Sequence, residues 1–225
     1  MNVTILAVSK RLNGVCIAGI GNDRWIRPTK KEELMLDDIR LENGYVSVGN
    51  TYEFHFSGRN PQQCQSENYL MEGSILKKST LSEDERRRLF TSLCENTFTT
   101  AEALKARNRS LVMLGPIRID SVYIHKEEKM KPPEIKFSVN GVEVKGIKDK
   151  PMQCTDLKFW SFARSLLGQR ESLTLDGTEV KKQLRYENMF IIIGLTKLYH
   201  GINWPMIISI HTIPDYRQEI DYGLL

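Results

Sequence analysis

Short apolar runs, some alternating with polar residues at a period of two and bounded by turn signals, recur along the chain and predict strands. Val3 to Ser9 reads as a first strand, and Lys10 to Gly14 as a turn with Asn13-Gly14 as its hairpin signal. Val15 to Ile20 is apolar on both faces, so both faces should be buried. Gly21-Asn22-Asp23 reverses the chain, and Arg24 to Pro28 returns with Trp25 and Arg27 on one face and Ile26 on the other. Thr29 to Gly44 reads as a charged loop with one short helix, and Tyr45 to Phe56 as a strand pair or one bent strand. Ser57 to Ser66 is a polar loop, and order resumes at Glu67 to Met71.

Two helices interrupt this pattern. Ser82 and Glu85 form a capping box ahead of Leu89, Phe90 and Leu93, and Thr99 and Glu102 form a second ahead of a helix to about Arg107. Strands resume with Ile117 to Ile124. Lys126 to Pro133 is a charged tip, and Ile135 to Ile147 is a hairpin turning at Asn140-Gly141. Thr155 or Asp156 caps a helix to Leu167 that ends at Gly168. Met189 to Leu198 and Trp204 to Ile213 form a closing apolar strand pair, with Trp204 and Phe137 read as core residues. The tail from Asp215 to Leu225 is polar and predicted to be loosely held. Hairpins dominate and no β-α-β alternation appears, so small antiparallel barrels with flanking helix fit best. The 225 residues suffice for two of them, one over residues 1–110 with the helical segment and one over 111–225.

Charge and rarer residues change this picture little. A net charge of +4 permits a polyanionic partner without requiring one. Arg86-Arg87-Arg88 follows Glu83-Asp84-Glu85, so ion pairing on a solvated face is favoured over phosphate binding. Cys16, Cys64, Cys94 and Cys154 are widely spaced, as are His55, His125, His200 and His211, so no metal site and no cofactor is expected. No apolar run is long enough for a membrane helix and no signal peptide is recognised, which makes the cytoplasm the expected location with no membrane partner. No phosphate-binding glycine loop, nucleophile elbow or H-E-x-x-H is present, so catalysis has no motif behind it. Thr155-Asp156 offers one carboxylate as an acidic site, but helix capping already explains both residues.

Several segments together carry a resemblance. Ala7-Val8-Ser9-Lys10 with Gly14, Cys16-Ile17-Ala18-Gly19 and Trp25-Ile26-Arg27-Pro28 resemble the opening strands of the prokaryotic dual OB-containing domain family. Gln65-Ser66-Glu67-Asn68 resembles its Q-x-E-N element. The hairpin Ile135 to Val144, Thr155-Asp156, Met189 to Leu198 and Trp204-Pro205-Met206 through Ile210 resemble its second half. The segment Ser82 to Arg107 and the pair Gln153-Cys154 depart from it. The resemblance implies two OB-type barrels in a mainly β chain with minor α, and a nucleic-acid-binding role.

On that expectation the candidate contacts are Lys10, Arg11, Arg24, Trp25, Arg27, Glu67, Asn68, Lys126 and Lys129. Trp25 would stack bases and the cations would track phosphates, with single strands or RNA favoured over duplex. The alternative places Trp25 in the core and Arg27 in a buried pair with Glu67. Lys126, Lys129 and Lys131 would grip a strand from the second lobe, although Glu127 and Glu128 dilute them. Two other functions stay open: a scaffold for a protein partner, and a metal-dependent nuclease whose carboxylates only the fold assembles.

Overall fold

The computed structural model describes residues 1–95, 104–105, 107–198 and 200–224. The helix expected from Thr99 to about Arg107 therefore lies for the most part outside the described residues. The chain opens with β1 (Asn2–Lys10), β2 (Val15–Gly21) and β3 (Arg24–Thr29), joined by tight hairpins. Asn22 and Asp23 both take positive φ, as a two-residue hairpin turn requires. A 3-10 turn at Leu36–Ile39 and two short strands, β4 (Arg40–Leu41) and β5 (Gly44–Tyr45), lead to β6 (Asn50–Arg59) and β7 (Asn68–Thr80). These strands close as β1-β2-β3-β7-β6, with β3 and β7 parallel, and Tyr52, Phe54 and Ile26 fill the barrel. In β2, Gly19 is required by close approach: a Cβ there would lie 2.1 Å from the Thr4 carbonyl oxygen. Gly19→Ala is therefore expected to cost about 1–3 kcal/mol through forced backbone separation, read as a lower melting temperature. An unchanged melt would contradict this.

Helix α1 (Glu83–Leu93) starts at the expected Ser82–Glu85 capping box. It is followed by β8 (Cys94–Glu95), β9 (Leu111–Leu114), β10 (Ile117–His125), β11 (Glu134–Val139), β12 (Val142–Val144) and β13 (Met152–Gln153). Then come α2 (Leu157–Leu167), β14 (Ser172–Asp176), α3 (Gly177–Leu184), β15 (Asn188–Leu195) and β16 (Pro205–Ile213). β10 pairs with β11, and β11 with β13. A parallel bridge from Cys154 to Ile207 joins that sheet to β16, which pairs with β15, which pairs with β9. The second half thus traces the same circuit as the first, and the parallel bridge Cys154 to Ile207 corresponds to the parallel pair Arg27 to Asn68, while β8 adds a second parallel pairing on β9. The protein is mainly β, with two OB-type barrels. Among the described residues no helix is long and apolar enough to cross a membrane.

The alternation along each strand shows how the barrels meet. In β9, Val112 and Leu114 face the second barrel's interior while Leu111 and Met113 face the other way. In β15, Ile191 and Ile193 point inward while Phe190 and Ile192 point out. These outward residues pack on Leu6, Ala7, Ala18, Ile20 and Trp25 from β1, β2 and β3, with Phe90 of α1 wedged against Phe190. Each large apolar side chain buried here contributes about 1.5–3 kcal/mol. The apolar outer face of Val15 to Ile20 is thus the seat of the second barrel.

Three expectations change. The tail is held rather than loose. Asp215 pairs with Arg86 at 2.9 Å and with Lys158 at 2.9 Å, Tyr216 is buried, and Tyr222 packs on Tyr45 with ring centroids 4.3 Å apart. Its anchors are ionic and aromatic, which a polar composition conceals. The segment 172–184, which carried no assignment from sequence, is β14 and α3, the latter capped by Asp176 and Glu179. Trp204 is 38% exposed rather than core, whereas Phe137 is fully buried as expected.

Candidate nucleic-acid interface

The nine candidate residues fall into three environments. Arg27, Glu67 and Asn68 lie in the joint between the barrels. Arg27 points outward from β3, and the parallel register sets it beside Asn68 on β7. Its backbone N–H donates to the Glu67 carbonyl at 2.8 Å. Its Nη2 donates to Ser110 Oγ at 3.0 Å and lies 3.6 Å from Glu67 Oε1. The Ser110 N–H donates to the same oxygen at 3.2 Å, and the Ser110 hydroxyl donates to it as well. Asn68 Nδ2 donates to Gln65 Oε1 at 3.3 Å, and Gln65 Nε2 reaches across to the Leu195 carbonyl at 3.0 Å. All of these side chains are buried. Arg27 closes onto Glu67 and onto the leading edge of β9. All three are buried in the joint in this arrangement, and Arg27 with Glu67 forms the buried pair that the sequence offered as the alternative to a groove contact.

Trp25 and Arg24 flank this joint. Trp25 is half-buried against the inter-barrel apolar cluster. Arg24 is exposed, and its guanidinium sits 5.5 Å from the centroid of the Tyr69 ring, which the Arg59 guanidinium also approaches at 5.8 Å. Two guanidinium groups share one aromatic ring at this end of the first barrel.

Lys10, Arg11, Lys126 and Lys129 form the third environment. Arg11 is half-exposed and 3.9 Å from Glu33. Lys10 is not fully exposed, as the sequence implied. Its ammonium lies 5.0 Å from the centroid of the Trp160 ring and donates to the Leu224 carbonyl. Burial lowers its pKa, and the nearby charge of Lys129 lowers it further. The Lys10 backbone N–H donates to the Thr155 carbonyl at 2.8 Å, and the Cys154 N–H to the Pro133 carbonyl at 2.8 Å, so the fold sets Lys10 of the first barrel beside the base of the second barrel's tip. That tip is a small hairpin bridged from Lys126 to Met130, in which Lys131 pairs with Glu127 at 2.7 Å. Among the described residues neither Lys126 nor Lys129 has a carboxylate partner. Of the arginine run, Arg86 pairs with Asp215, and Arg87 with Glu83 and Glu187.

Next to the tip, the outward face of β10 carries two residues that the sequence reading passed over. Tyr123 is 40% exposed, and its ring stacks on His125 at 4.9 Å with the planes 15° apart. Val122 and Ile124, between and before them, are fully buried. The signal was present in the sequence: alternation puts Tyr123 and His125 on the face opposite two apolar residues and directly ahead of Lys126.

The first barrel has an open groove of about 610 Å³ between β7 and the 3-10 turn with β4. Asp37, Asp38, Glu42, Glu53 and Glu72 line it, against Lys30 and Arg40. Lys30 pairs with Asp38 at 2.5 Å, Arg40 with Asp37 at 3.9 Å and Lys78 with Glu53 at 2.6 Å, which leaves Glu42 and Glu72 without an ion pair among the described residues and the groove with net negative charge. No three of His, Cys, Asp or Glu are grouped among the described residues as a metal would need.

No curated protein and no solved structure matched this chain. One family did, over residues 1–210 of the 225. The chain belongs to the dual OB-containing domain family, whose two barrels are the two circuits traced above.

Proposed function

We propose that this protein binds nucleic acid, with single strands or RNA preferred over duplex, along a basic seam where the tip of the second barrel meets the end of β1. One observation carries the reading. The Lys10 N–H donates to the Thr155 carbonyl at 2.8 Å and the Cys154 N–H to the Pro133 carbonyl at 2.8 Å, which seats the end of β1 beside the base of the tip, where Lys126 and Lys129 have no carboxylate partner among the described residues. Cations without carboxylate partners on one edge fit a site whose partner is a polyanion. OB barrels use basic loops beside their strands in the same way. Arg24 and Arg59 over Tyr69 would serve as a further phosphate contact on the first barrel.

Fluorescence anisotropy with labelled single-stranded DNA, RNA and duplex tests this. Binding is expected to weaken with salt with a log–log slope of about −0.7 per phosphate contacted on a single strand. Absence of binding to all three at low salt would overturn it. The acidic groove on the first barrel favours a second reading, a protein partner with a basic segment, because its charge repels phosphate. A labelled lysine-rich peptide in the same assay separates the two.

A further inference from the structure

We propose that the stacked pair Tyr123–His125 on the outer face of β10 is a base-stacking platform, so that the second barrel takes unpaired nucleotides with their bases on β10 and their phosphates at the lysine tip. This rests on the nucleic-acid reading and adds which surface and which part of the nucleotide are used. The two rings are already stacked, with planes 15° apart, so the platform is formed before any ligand arrives. One face of the Tyr123 ring is covered by His125, and the residue remains 40% exposed. The flanking strands do not crowd it: Thr174 of β14 is its partner on one side and Glu134 of β11 on the other. Strand geometry then sets the order of the site. His125 is followed at once by Lys126, and the hairpin carries Lys129 beyond it. A base on the platform therefore leads its backbone toward cations without carboxylate partners.

Structural demand does not account for the exposed ring. The neighbouring outward positions on β10 and β14 are Ser121, Ser172, Thr174 and Asp176, polar residues suited to a solvated sheet face. Every base has a π-face, so the platform requires an unstacked strand and reads little sequence. A duplex hides its bases in the stack and cannot use it.

The test compares a labelled oligothymidylate of about 12 nucleotides with a probe of equal length in which the central bases are abasic. The wild-type protein is expected to prefer the base-bearing probe by about 5- to 100-fold. Tyr123→Ala should remove most of that preference and leave the salt slope unchanged. Tyr123→Phe should keep it. Lys129→Ala should lower the slope by about 0.7 while leaving the preference intact. Tyr123 lies on the surface, so the melting temperature of Tyr123→Ala should match the wild type. Equal wild-type affinity for the two probes, or a preference that survives in Tyr123→Ala, would overturn the platform while leaving nucleic-acid binding standing. No wild-type binding to either probe at low salt would overturn both.

Discussion

Replacing Arg27 with Ala is expected to cost about 3–5 kcal/mol of stability. The substitution removes the guanidinium that faces Glu67 Oε1 at 3.6 Å and bonds Ser110 at 3.0 Å, in a site where both charged side chains are less than a tenth exposed. Glu67 then carries an uncompensated charge between two barrels, and the cost is the desolvation of that charge rather than the worth of one contact. The joint is taxed even in the intact protein, since Arg27 Nε, Glu67 Oε2 and Asn68 Oδ1 have no protein partner. The double variant Arg27→Met with Glu67→Leu should therefore recover most of the loss, because two apolar groups replace two buried charges. Urea unfolding of the two single variants and the double gives the coupling. A loss below about 1 kcal/mol for Arg27→Ala would mean that the pair is solvated and the joint open.

His211→Phe is expected to make stability rise as pH falls from 6 to 3.8, a window in which His211 and Asp156 nearly offset each other in the wild type. His211 is buried on β16, with its ring 4.6 Å from Phe90, and burial pushes its pKa down to about 3 from 6.5. Asp215 works against that shift, while Lys158 and Arg86 add to it. A depressed folded-state pKa means that the unfolded chain takes the proton first. The contribution of His211 is therefore whole above pH 6.5 and is lost as pH falls toward 3, by about 5 kcal/mol in all at 1.36 kcal/mol per unit.

Asp156 does the opposite. It caps α2 through the N–H groups of Lys158 at 2.8 Å and Phe159 at 3.3 Å, and accepts from the Ile210 N–H at 2.6 Å. Burial nevertheless raises its pKa to about 6 from 3.8. The folded state takes this proton first, so stability is regained between pH 6 and 3.8, by about 3 kcal/mol. The two residues offset each other in that window. With His211→Phe the advantage over wild type should grow by about 1.4 kcal/mol per pH unit below 6.5, and with Asp156→Asn the difference should run the other way between pH 6 and 3.8. Urea titrations at several pH values measure both. A difference between His211→Phe and wild type that does not change with pH would show that His211 is not held neutral.

Local features were legible because they are written in a few adjacent residues. Ser82 with Glu85, Asp156 before Leu157, and Asn140-Gly141 each satisfy backbone groups nearby, and each stands where the pattern put it. The length of β7 was not legible. Beyond Met71 it overhangs the barrel with exposed side chains and register shifts against β6, so no alternation marks it. The joint was half legible. The two apolar faces of Val15 to Ile20 announced a covered outer surface, but nothing in that stretch names β9, β15 and β16 as the cover. Arg27 reads from sequence either as a groove cation or as the buried partner of Glu67, and the pair is what forms, but nothing near Arg27 in the chain names Ser110 as its second partner. Tyr123 and His125 were overlooked for the converse reason, since an aromatic residue on a strand reads as ordinary strand content.

The measurement that tests the central claim most directly is a hydrogen-exchange footprint of the protein saturated with a single-stranded oligonucleotide. Protection is expected over β10 and the tip, Ser121 to Lys131, and over the neighbouring strand Ser172–Asp176, with Arg24 to Pro28 and Gln65 to Asn68 unchanged from the free protein. Protection centred on Arg27, Glu67 and Asn68, or no protection anywhere at low salt, would contradict it.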